Sequence, residues 1–246
     1  MRVLFANPQS GSADALNDLE RAAAVHAVAI RDLRELDAAD ADVIGVAGGD
    51  GSLAAVATLA LERNLPLVVV PMGTRNHFAR DLGLDPKDPV AALAAFDGTE
   101  RRVDVGRVNG RVFLNNVSLG AYAAAVHEEG EGALGPVARA LLRFRRSPLK
   151  LVVDGAERSV LILLVGNNEY DGTGSRERLD AGALSAYLLE RHHRIRLHRE
   201  HRAGRSFEVR ARSPRIRAAI DGEPVELDSP LHFELDPRAL RVRIAQ

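Results

Sequence analysis

The chain has 246 residues, with 33 basic and 34 acidic side chains and a formal net charge of −1. That length suits one large domain or two modest ones, and a hydrophobic content of 46% excludes fibrous and disordered classes. The absence of cysteine removes disulfides, thiolate zinc sites, iron–sulfur clusters and cysteine nucleophiles together.

Residues 2–6 read as a buried strand that ends at the turn-forming cluster Asn7-Pro8-Gln9-Ser10-Gly11, too early for a secretory apolar core. An amphipathic helix is expected over 13–25, with Leu16, Leu19 and Ala23 at helical spacing. A short strand near 27–30 and an acidic Ala/Asp stretch lead to a second buried strand, 43–47. It runs directly into Gly48-Gly49-Asp50-Gly51-Ser52. A helix over 53–63, a strand over 67–70 and a second loop, Pro71-Met72-Gly73-Thr74-Arg75-Asn76, follow. Strands alternating with helices in short units imply a parallel, doubly wound sheet.

After Asp104 the pattern changes. Segments 105–108 and 111–116 flank Asn109-Gly110, a strong hairpin signal, and a helix is expected over 133–146. Short strands are expected at 150–153, 160–165, 184–189, 206–212, 215–220, 231–235 and 240–244, with turns at Asp154-Gly155 and Asp221-Gly222. This half reads as a mainly antiparallel β-sandwich, and the domain boundary is placed between 1–104 and 105–246. Charge divides at the same point. Residues 1–104 carry 10 Lys/Arg and 16 Asp/Glu, a net of −6, whereas 105–246 carry 23 and 18, a net of +5. The longest apolar stretch, 160–165, is far below the ~20 residues that span a bilayer, so a soluble, cytoplasmic protein is expected.

The strand–GGDGS–helix unit is the informative motif. Glycines 48, 49 and 51 let backbone N–H groups approach an anion, and the next helix points its positive end at the same spot. An acid inside such a loop repels a bare phosphate. Asp50 makes sense if Mg²⁺ lies between it and the phosphates, because that ion takes one or two carboxylates plus phosphate oxygens. The Ser52 hydroxyl could meet a phosphate oxygen. The competing reading is a tight βα turn that uses glycine only for its geometry. No Walker A sequence exists, and the only lysines, Lys87 and Lys150, lie elsewhere, so a P-loop mechanism is excluded. The Gly73, Thr74 and Asn76 loop also ends a buried strand, which places it on the same sheet edge.

The GGDG loop followed by Pro71-Met72-Gly73-Thr74-Arg75-Asn76-His77-Phe78-Ala79-Arg80-Asp81-Leu82-Gly83-Leu84 resembles the diacylglycerol kinase catalytic family, which includes bacterial lipid kinases and sphingosine kinases. Asn7-Pro8-Gln9-Ser10-Gly11 is similar to that family's opening N-P-x-S-G, Val103-Asp104-Val105-Gly106 with Phe113-Leu114-Asn115 to its domain junction, and Asp221-Gly222-Glu223 to its late D-G-E. The resemblance implies a nucleotide-binding lobe of the NAD kinase and phosphofructokinase type beside a β-rich lipid-substrate lobe. It further implies ATP and Mg²⁺ on the Asn7/Ser10/Gly11, GGDGS and GTRN loops. The lipid hydroxyl would approach between the lobes. Asp50 would organise Mg²⁺ and the phosphates, and Glu223 would be the general base. Without the resemblance, Asp221-Gly222-Glu223 reads as a hairpin turn with an exposed acid.

The chain departs from the family where Ser52 replaces Thr, where Ala54-Ala55 replace Asn-Glu, and where Asp180-Ala181-Gly182-Ala183-Leu184-Ser185 replaces the D-D-G-x-L-D turn that holds a structural Mg²⁺. That structural site is expected to be absent. A degenerate, non-catalytic member and a small-molecule kinase acting on NAD therefore stay open. The Arg-rich segment 190–217 reads first as solvated strand faces and second as a dock for anionic membrane lipid. Nucleic acid is not an expected partner, because Phe207 is the only aromatic in the run. The histidines there show no metal spacing. The arginines of 139–146 fit a basic helix face, and a homodimer is left open.

Overall fold

A computed structural model describes residues 1–7, 13–37, 40–127, 136–191 and 197–245. Two compact units divide the chain. The first holds residues 1–104 together with 171–180 and 237–246, and the second holds 105–170 and 181–236. A single cut at 104 therefore leaves two returning segments on the wrong side. Both have local reasons to return. The Asp104 amide donates to the Leu179 carbonyl, and Val242 pairs in parallel with Leu67.

In the first unit β1 (Arg2–Ala6), α1 (Ala13–Val25), β2 (Val28–Asp32), β3 (Val43–Gly48), α2 (Asp50–Arg63), β4 (Leu67–Pro71) and the short α3 (His77–Asp81) follow one another. β1 pairs in parallel with both β2 and β3, and β3 with β4, so the order is β2-β1-β3-β4. Connections leave β1 in one direction and β3 in the other. With right-handed crossovers, that sends α1 and α2 to opposite faces of the sheet. Every residue of β3 and β4 is buried, as strands covered on both faces require. Leu4, Val43, Val68 and Val70 pack with Leu19 and Ala23 of α1 and with Leu93 and Phe96 of a 3₁₀ turn, Ala91–Asp97. This is the doubly wound sheet expected. The helix after the GGDGS loop begins at Asp50, three residues earlier than expected, with Gly49 as its N-cap.

The second unit takes up β5 (Thr99–Val108) at Val105 and continues through β6 (Arg111–Phe113), β7 (Asn116–Gly120), α4 (Ala121–His127), α5 (Pro136–Arg146), β8 (Leu149–Val153) and β9 (Ala156–Asn167). It ends with β10 (Leu184–Arg191), β11 (Leu197–Gly204), β12 (Ser206–Ala211), β13 (Arg215–Ile220), β14 (Glu223–Asp228) and the first part of β15 (Leu231–Ile244). All strand pairs among β7 to β14 are antiparallel. The long β9 is the shared member: its start pairs with β8 and its end with β7, while β10 lies along its other edge. Inward side chains from these strands, including Leu119, Leu151, Leu163, Leu188, Val209 and Phe233, form one core, the sandwich arrangement expected. The Asn109-Gly110, Asp154-Gly155 and Asp221-Gly222 turns have positive φ at both positions, the mirror-image turn geometry that favours Asn or Asp before Gly.

Four elements have no counterpart in the sequence reading: β7, α4, β11 and β14. The strands expected at 231–235 and 240–244 are one strand, Leu231–Ile244, which runs on through Asp236 and Pro237 although Arg238 has a φ of 51°. The start of the expected helix at 133–135 lies outside the described residues.

Glu100, at the start of β5, accepts a two-pronged pair from Arg241 of β15, 2.8 Å from Nε and 2.9 Å from Nη2. Arg241, then Arg243, holds its carboxyl below the ordinary glutamate value. A lowered folded pKa adds stability above the unfolded value, and that stability is lost as pH falls through the folded value. Glu100→Gln is therefore expected to lower the unfolding free energy from urea titration at pH 7, by up to about 1 kcal/mol for a partly exposed pair, with the gap shrinking as pH falls below the ordinary glutamate value.

Candidate functional site

The parallel strands of the first unit end together, and their order reverses between β1 and β3. Open α/β sheets bind ligands at such carboxyl ends, where the strand order reverses. Asn7 follows β1, Gly49-Asp50 follow β3, and Met72-Gly73 follow β4, stitched by Asn7 N–H to the Ala47 carbonyl and Met72 N–H to the Gly48 carbonyl, both 3.1 Å. The structure thus gathers Asn7, Gly48, Gly49, Asp50, Gly51, Ser52, Gly73, Thr74 and Asn76 on one edge. Ser10 and Gly11 lie outside the described residues.

Two glycines are dictated by contact. A Cβ on Gly73 would lie 2.4 Å from the Gly49 Cα, and one on Gly48 would lie 2.7 Å from the Ser52 Cβ. The loops after β3 and β4 meet backbone to backbone, which only glycine allows. Ser52 is set from the other side as well, since Asn7 Nδ2 donates to its Oγ at 3.3 Å. Gly49 offers no side-chain cap to α2, so the first-turn amides and the positive end of a 14-residue helix face the same edge.

Asp50 stands in that first turn with its side chain only 8% exposed. Its Oδ2 lies 3.2 Å from His77 Nδ1 and 3.4 Å from the His77 amide, at the start of α3. Asn76, expected as a ligand group, spends its side chain locally: Oδ1 accepts from the Gly73 amide at 3.0 Å and Nδ2 donates to the Gly73 carbonyl at 2.6 Å. It sits at φ 49°, a left-handed position that asparagine tolerates, and braces the loop from within. Thr74 is exposed at the loop tip.

Behind the loop lies a pair that sequence spacing does not reveal. Arg176, in the returning segment, places Nε 2.7 Å from Asp81 Oδ2 at the end of α3, and the two side chains are 0% and 5% exposed. The guanidinium also lies 5.9 Å from the centre of the Phe78 ring. Removal from water strengthens such a pair and makes either partner costly to lose.

Glu223 belongs to the second unit, as the first residue of β14, and is exposed. Its neighbour Asp221 is buried and points inward, accepting from the amides of Leu114, Asn115 and Asn116 at 2.8, 2.7 and 3.0 Å. The D-G-E turn is thus anchored through its aspartate. A network of buried asparagines continues the anchor: Asn167 donates to the Leu114 carbonyl, and Asn168 accepts from the Ala181 amide. The run Gly166-Asn167-Asn168, ending a buried strand, was the available signal in the sequence.

A further cluster is tertiary in origin. The register of β10 and β11 sets Glu190 opposite His198, and with Glu200 their ligand atoms lie within 4.8 Å of one another. Arg158 Nη1 is 3.6 Å from Glu190 and 3.3 Å from Glu200, and Arg202 bonds Glu200 and then lowers its pKa with Arg158. Guanidinium charge already neutralises the two acids, so the cluster is an ion network of the sheet. Asp180, at the altered turn, is likewise paired, with Arg178 at 3.3 Å and Arg238 at 3.4 Å.

Among the described residues no helix is long and apolar enough to cross a membrane. Residues 2–108 match the family profile described as the diacylglycerol kinase catalytic domain. A Pseudomonas aeruginosa protein named "Probable lipid kinase YegS-like" is 34% identical over 228 residues, 80% of this chain and 74% of that protein. A Mycobacterium tuberculosis protein named diacylglycerol kinase is 31% identical over 150 residues, 54% of this chain and 48% of that one. The crystal structure of a diacylglycerol kinase from Bacillus anthracis superposes with a TM-score of 0.72 over 98% of this chain and 96% of that chain; at 22% identity it speaks for the fold. The coverage and identity of the Pseudomonas relative, together with the GGDGS and GTRN loops on one sheet edge, place the protein: the chain belongs to the diacylglycerol kinase catalytic-domain family.

Proposed function

We propose that the protein is an ATP-dependent lipid kinase, transferring the γ-phosphoryl group to the hydroxyl of a diacylglycerol-like lipid. The observation that carries the reading is the shared edge of the first unit, where a glycine cradle, the open end of α2 and a nearly buried carboxylate converge. Amides and a helix terminus favour phosphate, and a carboxylate among them suits Mg²⁺ bound jointly to phosphates. Asp50 is the residue that would hold the ion, which when bound offsets phosphate charge, and the Ser52 hydroxyl would meet a phosphate oxygen. Asn7 fixes the Ser52 hydroxyl, while Gly48, Gly49, Gly51, Gly73 and Thr74 supply close backbone approach. In the transfer, the lipid oxygen forms a bond to the γ-phosphorus, the bond to the β,γ-bridging oxygen breaks, and ADP leaves. Glu223 takes the hydroxyl proton, and the Asp221 anchor holds its turn in place. Because Glu223 is exposed, its carboxylate is available to a substrate.

Labelled ATP offered with a total lipid extract tests the reading, with NAD and fructose 6-phosphate as competing acceptors. Label in lipid supports it, and label in NAD or sugar overturns it. Glu223→Gln is expected to lower turnover about 10²–10⁴-fold while nucleotide binding and the melting temperature stay unchanged. Ala54 and Ala55, in the first turns of α2, favour a second reading, nucleotide binding without turnover. Equal background rates for the wild type and Glu223→Gln on every lipid would select it.

The exposed Leu142 of α5 stands beside Arg143, Arg145 and Arg146, which supports peripheral contact with an anionic membrane.

A further inference from the structure

The second unit contains a cavity of about 510 Å³ formed by α4, α5, β8, β13 and the turn before β13. Its size falls within the roughly 300–1,000 Å³ range of ligand sites. Phe144 from α5, Leu149 and Leu151 from β8 and Ile216 from β13 supply apolar wall. Its charged lining is of one sign. Arg143, Lys150, Arg212, Arg215 and Arg217 border it, and no carboxylate does among the described residues. Arg215 also pairs with Asp228 at 3.3 Å, and both of those side chains are largely exposed. A second hollow of about 370 Å³ shares Lys150, Leu151, Ala211 and Arg212 but is mixed in charge, since Glu157 lines it and its Arg158 and Arg210 are paired with carboxylates.

An apolar space with a cationic border is poorly matched to a neutral ligand. Cations gathered around one opening repel one another, and a ligand that brings negative charge relieves that repulsion while its chain removes apolar surface from water. The arrangement is unlike that of the first unit, where glycines and a helix end face phosphate beside an acid. We propose that this cavity binds an anionic amphiphile, with acyl chain on Phe144, Leu149, Leu151 and Ile216 and a phosphate headgroup on Lys150, Arg212 and Arg217. Such a ligand has two sources, an anionic lipid that is itself the phosphoryl acceptor or an anionic membrane lipid that holds the enzyme in place. Only the acceptor identity rests on the kinase reading.

The test uses the full chain without ATP. Binding of dihexanoyl phosphatidate is measured by calorimetry against dihexanoyl phosphocholine, dihexanoylglycerol and inorganic phosphate. Phosphatidate is expected to bind at least tenfold more tightly than the zwitterionic and neutral lipids, as one or two cations near a headgroup supply. Lengthening its chains should tighten binding about fourfold per added buried methylene. Arg212→Gln/Arg217→Gln, two exposed changes that spare the core, should remove the charge preference but keep the chain-length trend. Equal affinity for the three lipids, inorganic phosphate binding as tightly as phosphatidate, or an unaltered preference in the double variant would each overturn the proposal. Sources are separated by adding labelled ATP to neutral and anionic fractions of a lipid extract. Label in the anionic fraction, lost in the double variant, marks an acceptor. Label confined to the neutral fraction, with vesicle binding that needs the same arginines, marks a membrane component. A chain that binds phosphatidate but labels no lipid would sink the kinase reading and leave this site standing.

Discussion

Asp50→Asn is expected to reduce phosphoryl transfer by roughly 10²–10³-fold or more while the protein stays folded. The substitution keeps the size and one acceptor oxygen of the side chain but removes its charge, and a group that acts on developing or transferred charge in a water-poor site is worth about that much. Asp50 is nearly buried and faces the converging loops, so little solvent is present to replace it. Its structural contribution is smaller: a negative charge in the first turn of α2 adds about 0.3–1 kcal/mol to the helix. Rate and stability should therefore separate. Labelled transfer to lipid, Mg-ATP titration and a melting curve on the same preparation decide the matter. Unchanged Mg-ATP affinity would show that Asp50 does not help hold the ion. A loss of rate matched by a loss of fold would show that the residue is only a helix start.

Arg176→Ala is expected to cost about 3–5 kcal/mol of folding free energy, the range for removing one partner of a buried ion pair. The pair with Asp81 is 0% and 5% exposed, so the aspartate would be left charged and dry against Phe78. The double change Arg176→Met/Asp81→Leu removes both charges and fills similar volume, and should recover most of that loss. Urea denaturation of the three proteins gives the comparison. A double variant no more stable than the single one would mean that the charge itself is not the cause. Because α3 continues from the Gly73–Asn76 loop, the single variant should also weaken nucleotide binding in whatever fraction stays folded.

The doubly wound half was legible because burial on both faces leaves a strong mark. Segments 43–48 and 67–71 are apolar throughout, and each runs into glycine where the chain must turn at the sheet edge. The Asn109-Gly110, Asp154-Gly155 and Asp221-Gly222 turns were legible for a different reason, since two successive positive φ values restrict the residues allowed. By contrast β11 reads Leu197-His198-Arg199-Glu200-His201-Arg202-Ala203-Gly204, with no buried face to impose alternation. It is a strand because β10 pairs along it. The continuity of β15 was hidden by Pro237, which signals a break in sequence, yet the strand runs on past it with Arg238 at φ 51°.

Residue types and their local spacing settled the glycine loops, the acid at position 50, the family and the division of charge between the two halves, because each depends on a short stretch of backbone. Contact between distant segments decided the rest. Gly73 had to be glycine because Gly49 arrives from another strand, and Asn76 turned inward because its own loop needed both amide groups. Arg176 found Asp81 across 95 residues, and Asp221 found the amides of Leu114, Asn115 and Asn116 across more than a hundred. Burial makes those partners obligatory, since an unpaired charge or amide out of water is costly. Which partner is chosen depends on where the sheets bring the chain, and no spacing rule along the sequence encodes that.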